Sequence, residues 1–397
     1  MNREQFHIGT YFLQPYARTE QHIRELAECG IDLVFGMEYH HDTLELFLKY
    51  RIGAIVNGVV PGWFGANGDN AGTLASRNPL KLYESAAKEF SDHPAIWGID
   101  VGDEPSALDF PYYGKVIERM QSLFPNQFSY LNLYPSYGLL ADNTKEQIRR
   151  ELGTENYRDY LQRYCNNIDT DYLSFDHYAY SSSPKRLIED LRVAAEVCRE
   201  NKRSLWVVLQ ANSHQPNYRL SQDQLRFQAY SALVFGARCI SWACYTAGWW
   251  HHNVLDETGQ KTDLYQKLKT VNQEVRAMTL EYPHYQWQKT MLLNRPSNQN
   301  DWGWFREIHI ACDHPSVFMG CFVKQTDEGY AVMLYNDSTA NGSKPQAATV
   351  CFSVCEEKTV RLYSPNGVRR LVADGDNKYR VVIAPDQGCF ITTQSQE

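Results

Sequence analysis

Apolar runs of strand length alternate with segments of helical period from residue 7 to residue 280. The run at 7–14 leads to a helical segment at 19–29, and that at 31–38 leads to 42–49. The run at 52–60 precedes a Gly/Asn-rich loop at 61–76 and a helical segment at 79–90. The alternation continues through 96–102 and 110–123, then 128–134 and a long polar helical region at 143–165. It closes with 172–178 and 185–200, 204–210 and 221–235, and 239–245 and 264–280. A short apolar run followed by apolar residues every three to four positions predicts a strand and then a helix. Eight such units in succession predict a closed parallel (β/α)8 TIM barrel rather than an open doubly wound sheet.

The rhythm changes after Tyr282. Residues 320–324, 330–335, 348–353, 359–363, 379–383 and 389–393 read as short alternating strands. Asn341-Gly342 and Pro365-Asn366-Gly367 supply turns between them. The pattern predicts a barrel over residues 1–283 and a small all-β domain, a sandwich, over 284–397.

Composition then narrows the partners. The chain has 397 residues and a net charge of -8, which argues against a nucleic acid or an anionic membrane. No apolar run is long enough to span a bilayer. The start, Met1-Asn2-Arg3-Glu4-Gln5-Phe6, lacks the basic-then-apolar pattern of a secretory signal. The ten cysteines form no Cys-x-x-Cys pair, so buried free thiols in a reducing cytoplasm are expected. No Gly-x-Gly-x-x-Gly follows the first strand and no Walker sequence occurs, which lowers nucleotide readings. No cofactor and no metal are expected. The oligomeric state stays open.

In a barrel the C-terminal strand ends converge on one face. Here they are Gln14, Glu38, Asn57, Asp103, Glu104, Asn132, Tyr134, Asp176, His177, Tyr178, Gln210, Asn212, Trp242 and Tyr245. Acids, amides and rings are the groups that bind hydroxyls and stack on sugar faces. The chain is rich in such rings, with 26 Tyr, 17 Phe and 9 Trp, although large cores also use them.

One segment among these is the most specific. Ile96-Trp97-Gly98-Ile99-Asp100-Val101-Gly102-Asp103-Glu104-Pro105 is an apolar run that ends in two carboxylates and a proline. It resembles the strand-four motif of the clan A glycoside hydrolases, in which Asn-Glu-Pro or Asp-Glu-Pro carries the general acid/base. Glu104 occupies that position. His93-Pro94-Ala95-Ile96-Trp97-Gly98 is similar to the approach to that strand. Ser174-Phe175-Asp176-His177-Tyr178 resembles a strand-six segment, and Phe235-Gly236-Ala237-Arg238-Cys239-Ile240-Ser241-Trp242 a strand-eight segment. The resemblance implies a glycosidase barrel with a C-terminal domain that braces the barrel or binds carbohydrate.

The resemblance breaks at strand seven. Leu205-Trp206-Val207-Val208-Leu209 ends in Gln210, where the family carries its nucleophilic Glu. An amide cannot form the glycosyl ester. Either another carboxylate acts, or the mechanism is inverting, or the barrel binds without cutting. Asp176 is the first choice for the second catalytic group. Its place further around the rim suits a base acting through water, with the carboxyls ~6.5–9.5 Å apart. Its alternative role is to bind a hydroxyl or orient His177.

Glu38 is a second base candidate or a hydroxyl ligand. Asp103 binds substrate, positions Glu104, or keeps it protonated by like-charge repulsion. Asn132 and Gln210 are expected to hold the sugar, with Tyr134, His177, Tyr178, Trp242 and Tyr245 completing the rim. Trp249 and Trp250 form a sugar platform, a lid, or a contact with the β domain. His40-His41-Asp42 reads as a solvated loop. The expected activity is hydrolysis of an oligosaccharide or small glycoside, with Glu104 as proton donor. The alternative is a carbohydrate-binding barrel that has lost its nucleophile.

Overall fold

The computed structural model describes residues 5–63, 70–139, 144–293, 305–310, 316–324, 329–338, 344–354, 358–374 and 378–395. The Asn341-Gly342 turn, Cys355 and part of the 61–76 loop lie outside them. By backbone proximity the chain divides into two compact units. One holds His7–Leu220 and Cys239–Lys269; the other holds Asn2–Phe6, Ser221–Arg238 and Thr270–Glu397.

The barrel strands are β1 (His7–Tyr11), β2 (Leu33–Glu38), β3 (Gly53–Asn57), β4 (Ile96–Asp103), β5 (Phe128–Leu133), β6 (Tyr172–His177), β7 (Ser204–Gln210) and β8 (Ala237–Ala243). They close in sequence order, with β8 pairing in parallel with β1 from His7↔Cys239 to Tyr11↔Ala243. The helices are α1 (Glu20–Glu28), α2 (His41–Tyr50), α3 (Leu74–Arg77), α4 (Leu80–Glu89), α5 (Phe110–Leu123), α6 (Lys145–Leu152), α7 (Tyr157–Asn167), α8 (Pro184–Glu200), α9 (Gln222–Val234) and α10 (Asp263–Met278). Several of their starts carry side-chain caps. Thr19 accepts from the His22 N–H, and Ser221 forms a reciprocal capping box with Gln224.

The polar region read as one helical stretch is two helices. Gly153 adopts φ +76 after α6, and Asn156 then caps α7 by accepting the Asp159 N–H. Strand β8 starts and stops two residues earlier than expected, which leaves Tyr245 beyond its end.

Bulky inward residues fill the barrel. Leu33, Phe35, Ile55, Tyr130, Tyr172, Trp206 and Cys239 form one buried cluster. Tyr172 stacks on Trp206 with ring centres 4.6 Å apart, and Tyr130 lies over Tyr172 at 6.0 Å. This aromatic plug closes the interior below the mouth, so the mouth is a cleft with a floor and not a channel.

The second unit contains β9 (Tyr285–Leu292), β10 (Phe305–Ile310), β11 (Val317–Lys324), β12 (Tyr330–Asn336), β13 (Ala348–Val354), β14 (Lys358–Ser364), β15 (Gly367–Arg370), β16 (Lys378–Ile383) and β17 (Gly388–Ser395). They form an antiparallel six-stranded sheet, β15-β14-β17-β12-β11-β9, and a three-stranded sheet, β10-β13-β16. Met319, Leu334 and Ile391 of the first sheet share one core with Val350, Phe352 and Val381 of the second. That core makes the pair a sandwich. Pro365-Asn366 forms the expected turn, joining β14 to β15. Sequence reading missed β9, β10 and β15. All three are edge strands, which need only one buried neighbour and carry weaker apolar alternation. No described helix is long and apolar enough to cross a membrane.

Candidate active site

Two irregularities in β4 build the site. Its register against β5 runs Gly98↔Phe128, Ile99↔Ser129 and Asp100↔Tyr130, then skips to Gly102↔Leu131 and Asp103↔Asn132. The extra residue, Val101, turns both Asp100 and Asp103 inward, three positions apart where strict alternation would forbid it. Gly102 makes the bulge possible. Its φ is +152, and a Cβ there would collide with the Tyr113 hydroxyl and crowd the Trp63 carbonyl. Glu104 then adopts φ +43, a conformation unusual for a side-chain-bearing residue. Its N–H is tied to the Asn132 carbonyl at 2.9 Å and that of Asp103 to the Trp63 carbonyl at 2.8 Å. Tertiary hydrogen bonds thus hold the acid in place against its backbone preference.

The barrel mouth is a cleft of about 430 Å³. Asp100, Asp103, Glu104 and Asp176 line it with Asn57 and Asn132, and the rings of Tyr11, Phe12, Tyr130, Tyr178, Trp249 and Trp250 supply its apolar surface. Glu104 and Asp176 hydrogen-bond each other directly. The bond raises Glu104 and lowers Asp176, so within the pair Glu104 is the donor and Asp176 the acceptor, and the Tyr134 hydroxyl also bonds Glu104. Burial, then the charges of Asp176 and Asp103, push Glu104 well above the usual carboxylate range. Burial and then Asp103 raise Asp176 as well, to about 8.

Asn132 organises the other side. Its Nδ2 donates to Asp176 at 2.8 Å and to Asp103 at 3.3 Å. Its Oδ1 accepts from Ser174 Oγ at 3.0 Å, which fixes the amide with its donors toward the acids. Behind Ser174 the hydroxyls of Tyr130 and Tyr11 continue the chain at 3.0 and 2.9 Å. Burial lifts Asp103 to about 6 against the lowering pull of Asn132. Burial and then the charge of Asp103 lift Asp100 to about 7, while the Gly102 N–H holds it down. Asp103 is therefore the readiest of these acids to ionise.

Of the residues expected at the site, Asp103, Glu104, Asn132, Asp176, Tyr178, Trp249 and Trp250 line the cleft, and Tyr134 reaches Glu104. Glu38, His177, Trp242, Tyr245 and Gln210 do not line it. Glu38 is exposed at the end of β2, outside the lining. His177 points to the opposite face of β6 from Asp176, as the period of two requires. Fully buried, it bonds Asp190 of α8 at 2.9 Å and Ser182 at 3.2 Å. Trp242 likewise alternates with the inward Cys239 and Ala243, packs on the outer face and is fully buried. Tyr245 is buried past the strand end. Asp176 takes part in a second way. It interacts directly with Glu104 rather than only across the rim.

Gln210 is fully buried and holds protein groups rather than a cleft ligand. Its Nε2 donates to Ser181 Oγ and to the Asn212 carbonyl, each at 3.0 Å, and its Oε1 accepts the Tyr180 N–H at 2.8 Å. The amide ties the loops after β6 and β7 together, a task an acceptor-only carboxylate cannot perform against a carbonyl. Gln210→Glu is therefore expected to lose about 1–3 kcal/mol of stability and to gain no turnover. Thermal unfolding with a glycoside assay on the same protein checks both halves.

Asp100, Tyr11, Phe12 and Tyr130 line the cleft without having been anticipated. An acid inside an apolar strand between Gly98 and Gly102 is the signal that marked Asp100. Trp249 packs on Phe12 edge-on at 5.3 Å, and Trp250 meets Tyr178 edge-on at 4.8 Å. The two tryptophans thus form a wall of this cleft.

Away from the mouth, one nitrogen or oxygen from each of His41, Glu45 and His93 lies within 4.8 Å of the others. His93 Nδ1 accepts the Ala95 N–H at 3.1 Å, so its Nε2 carries the proton and donates to Glu45 at 2.9 Å. A protonated ring nitrogen has no lone pair for a metal. His40 is the N-cap of α2 and accepts the Thr43 N–H, so this stretch opens a helix rather than a loop.

No protein-family model matches the chain, and no curated protein resembles it in sequence. Solved structures do share its fold. A cycloisomaltooligosaccharide glucanotransferase from Paenibacillus sp., complexed with cycloisomaltoheptaose, aligns with a TM-score of 0.58 at 10% identity, covering 98% of this chain and 85% of that one. A glycoside hydrolase aligns at 0.57 and 9% identity over 98% and 93% of the two chains. A glycoside hydrolase family 5 protein from Bacteroides vulgatus aligns at 0.53 and 9%, over 98% and 89%. At such identity the likeness establishes the fold: the architecture of TIM-barrel glycoside hydrolases with an all-β C-terminal region.

Proposed function

We propose that this protein is a glycoside hydrolase that works from the barrel mouth, with Glu104 as proton donor. The observation that carries this reading is the Glu104–Asp176 carboxyl pair, hydrogen-bonded inside a ring-lined cleft at the C-terminal ends of the strands. Glycoside hydrolysis needs one carboxyl kept protonated and one ionised. Burial first, then the nearness of Asp176 and Asp103, hold Glu104 well above the usual carboxylate range and so favour its protonated form. Asp103, oriented by Asn132 and the readiest to ionise, supplies the negative charge for the developing oxocarbenium ion. Asp176 accepts the Glu104 hydrogen bond and so holds the donor between substrate and floor. The carbohydrate is the partner, gripped by the amides and rings of the cleft.

The test is a screen of chromogenic α- and β-glycosides, followed by NMR of the first-formed anomer. Turnover that Glu104→Gln abolishes supports the reading. Retention assigns Asp103 an attack on the sugar carbon, and inversion assigns it activation of a water. Saturable sugar binding with no turnover on any glycoside overturns the hydrolase in favour of a binding barrel.

A further inference from the structure

Hydrolysis engages Glu104, Asp103 and Asp176. It leaves Asp100 unused, although this carboxyl also lines the cleft. One of its oxygens accepts the Gly102 N–H at 2.9 Å. Among the described residues that line the cleft there is no Lys, Arg or His to balance the acids. His214 meets the Trp250 ring edge-on at 5.9 Å but is exposed to solvent. The walls carry six aromatic rings, whose faces attract cations. Two further polar atoms of lining side chains, Asn57 Oδ1 and Trp249 Nε1, are buried without a partner among the described residues. Buried polar atoms of this kind need a partner, and a bound hydroxylated ligand provides one.

We infer that the cleft selects its sugar by charge: it takes amine-bearing sugars in preference to neutral ones, and rejects sugars that carry a carboxylate. The inference rests on the sugar-binding reading above. The physical case is one of complementarity. An ammonium among rings and carboxyls gains both the face of the rings and the acids that no described lining residue neutralises. A carboxylate in the same space would be a further like charge in a poorly hydrated cleft, a repulsive element that enforces specificity. Asp100 is the residue assigned to this selection, since it adds negative charge the hydrolytic step does not require.

The experiment compares aryl glycosides of gluco, galacto and manno configuration in three forms: 2-amino, unsubstituted and 6-carboxylate. Binding to the full-length wild-type protein at pH 7 is followed by tryptophan fluorescence and calorimetry. In the configuration that binds best, the amino form should bind about tenfold tighter than the neutral one. The carboxylate form should bind at least tenfold more weakly than the neutral one. Added salt should compress both ratios, and Asp100→Asn should bring the amino-to-neutral ratio toward one. Equal binding of amino and neutral forms, tightest binding of the carboxylate form, or no binding by any form would overturn the inference. The charge order with no turnover anywhere would uphold it and sink the hydrolase reading. Turnover with no charge preference would do the reverse.

Discussion

Glu104→Gln is expected to lower kcat/KM on glycosides with poor leaving groups by about 10²–10⁴-fold. The amide keeps the shape of the side chain and can still bond Asp176, but it has no proton to give. On an aryl glycoside whose leaving group needs no protonation, the loss should shrink sharply. The ratio of the two losses separates acid catalysis from simple damage to the cleft. Unchanged turnover on the poor leaving group would remove Glu104 from the role. Asp176→Asn supplies the complementary readout. The charge of Asp176 helps to raise Glu104, so its removal should move the alkaline limb of the pH–rate profile to lower pH. A limb that stays in place would mean that Asp176 does not set the protonation of the donor.

The second large effect is on stability. Asp100 sits at about 7 in the folded protein, raised by burial and then by Asp103, whereas an unfolded Asp titrates at about 3.9. Between those values the native state binds a proton that the unfolded chain has released. Stability therefore falls as pH rises from about 4 through 7, and the favourable contribution belongs to the acid side. Above both values the penalty from this one carboxyl is on the order of 4 kcal/mol. Asp100→Asn keeps an acceptor for the Gly102 N–H and removes the charge. The variant should match the wild type below about pH 4 and exceed it by several degrees in Tm at pH 8. Asp337 of the β unit, raised to about 7 by burial, acts in the same direction, while surface groups such as Glu20 and Asp263 are held low by lysines and act in the other. The difference between variant and wild type cancels these shared contributions. Parallel profiles of Tm against pH would show that Asp100 ionises freely in the fold.

The barrel was legible in the sequence because each β/α unit announces itself locally. Apolar residues at period two or 3.6 fix which face is buried before any distant partner is known. Phe110–Leu123 and Ser204–Gln210 therefore begin and end where the pattern places them. Edge strands such as Gly367–Arg370 left little trace, since one exposed side relaxes the demand for apolar residues. Glu104 and Asp176 could be nominated because they end strands, and strand ends meet at one face of any such barrel. Strand position alone overreached at His177 and Trp242, which alternation turns outward, and at Gln210, whose amide is consumed by Ser181, Asn212 and Tyr180. What the tertiary structure decided was contact. An extra residue in β4, permitted by Gly102, brings Asp100 and Asp103 to the same face. The pairing of Glu104 with Asp176, and the proton affinity it raises, depend on two strands separated by β5. No local pattern encodes that proximity, because proton affinity is set by burial and neighbouring charge, which exist only once the barrel has closed.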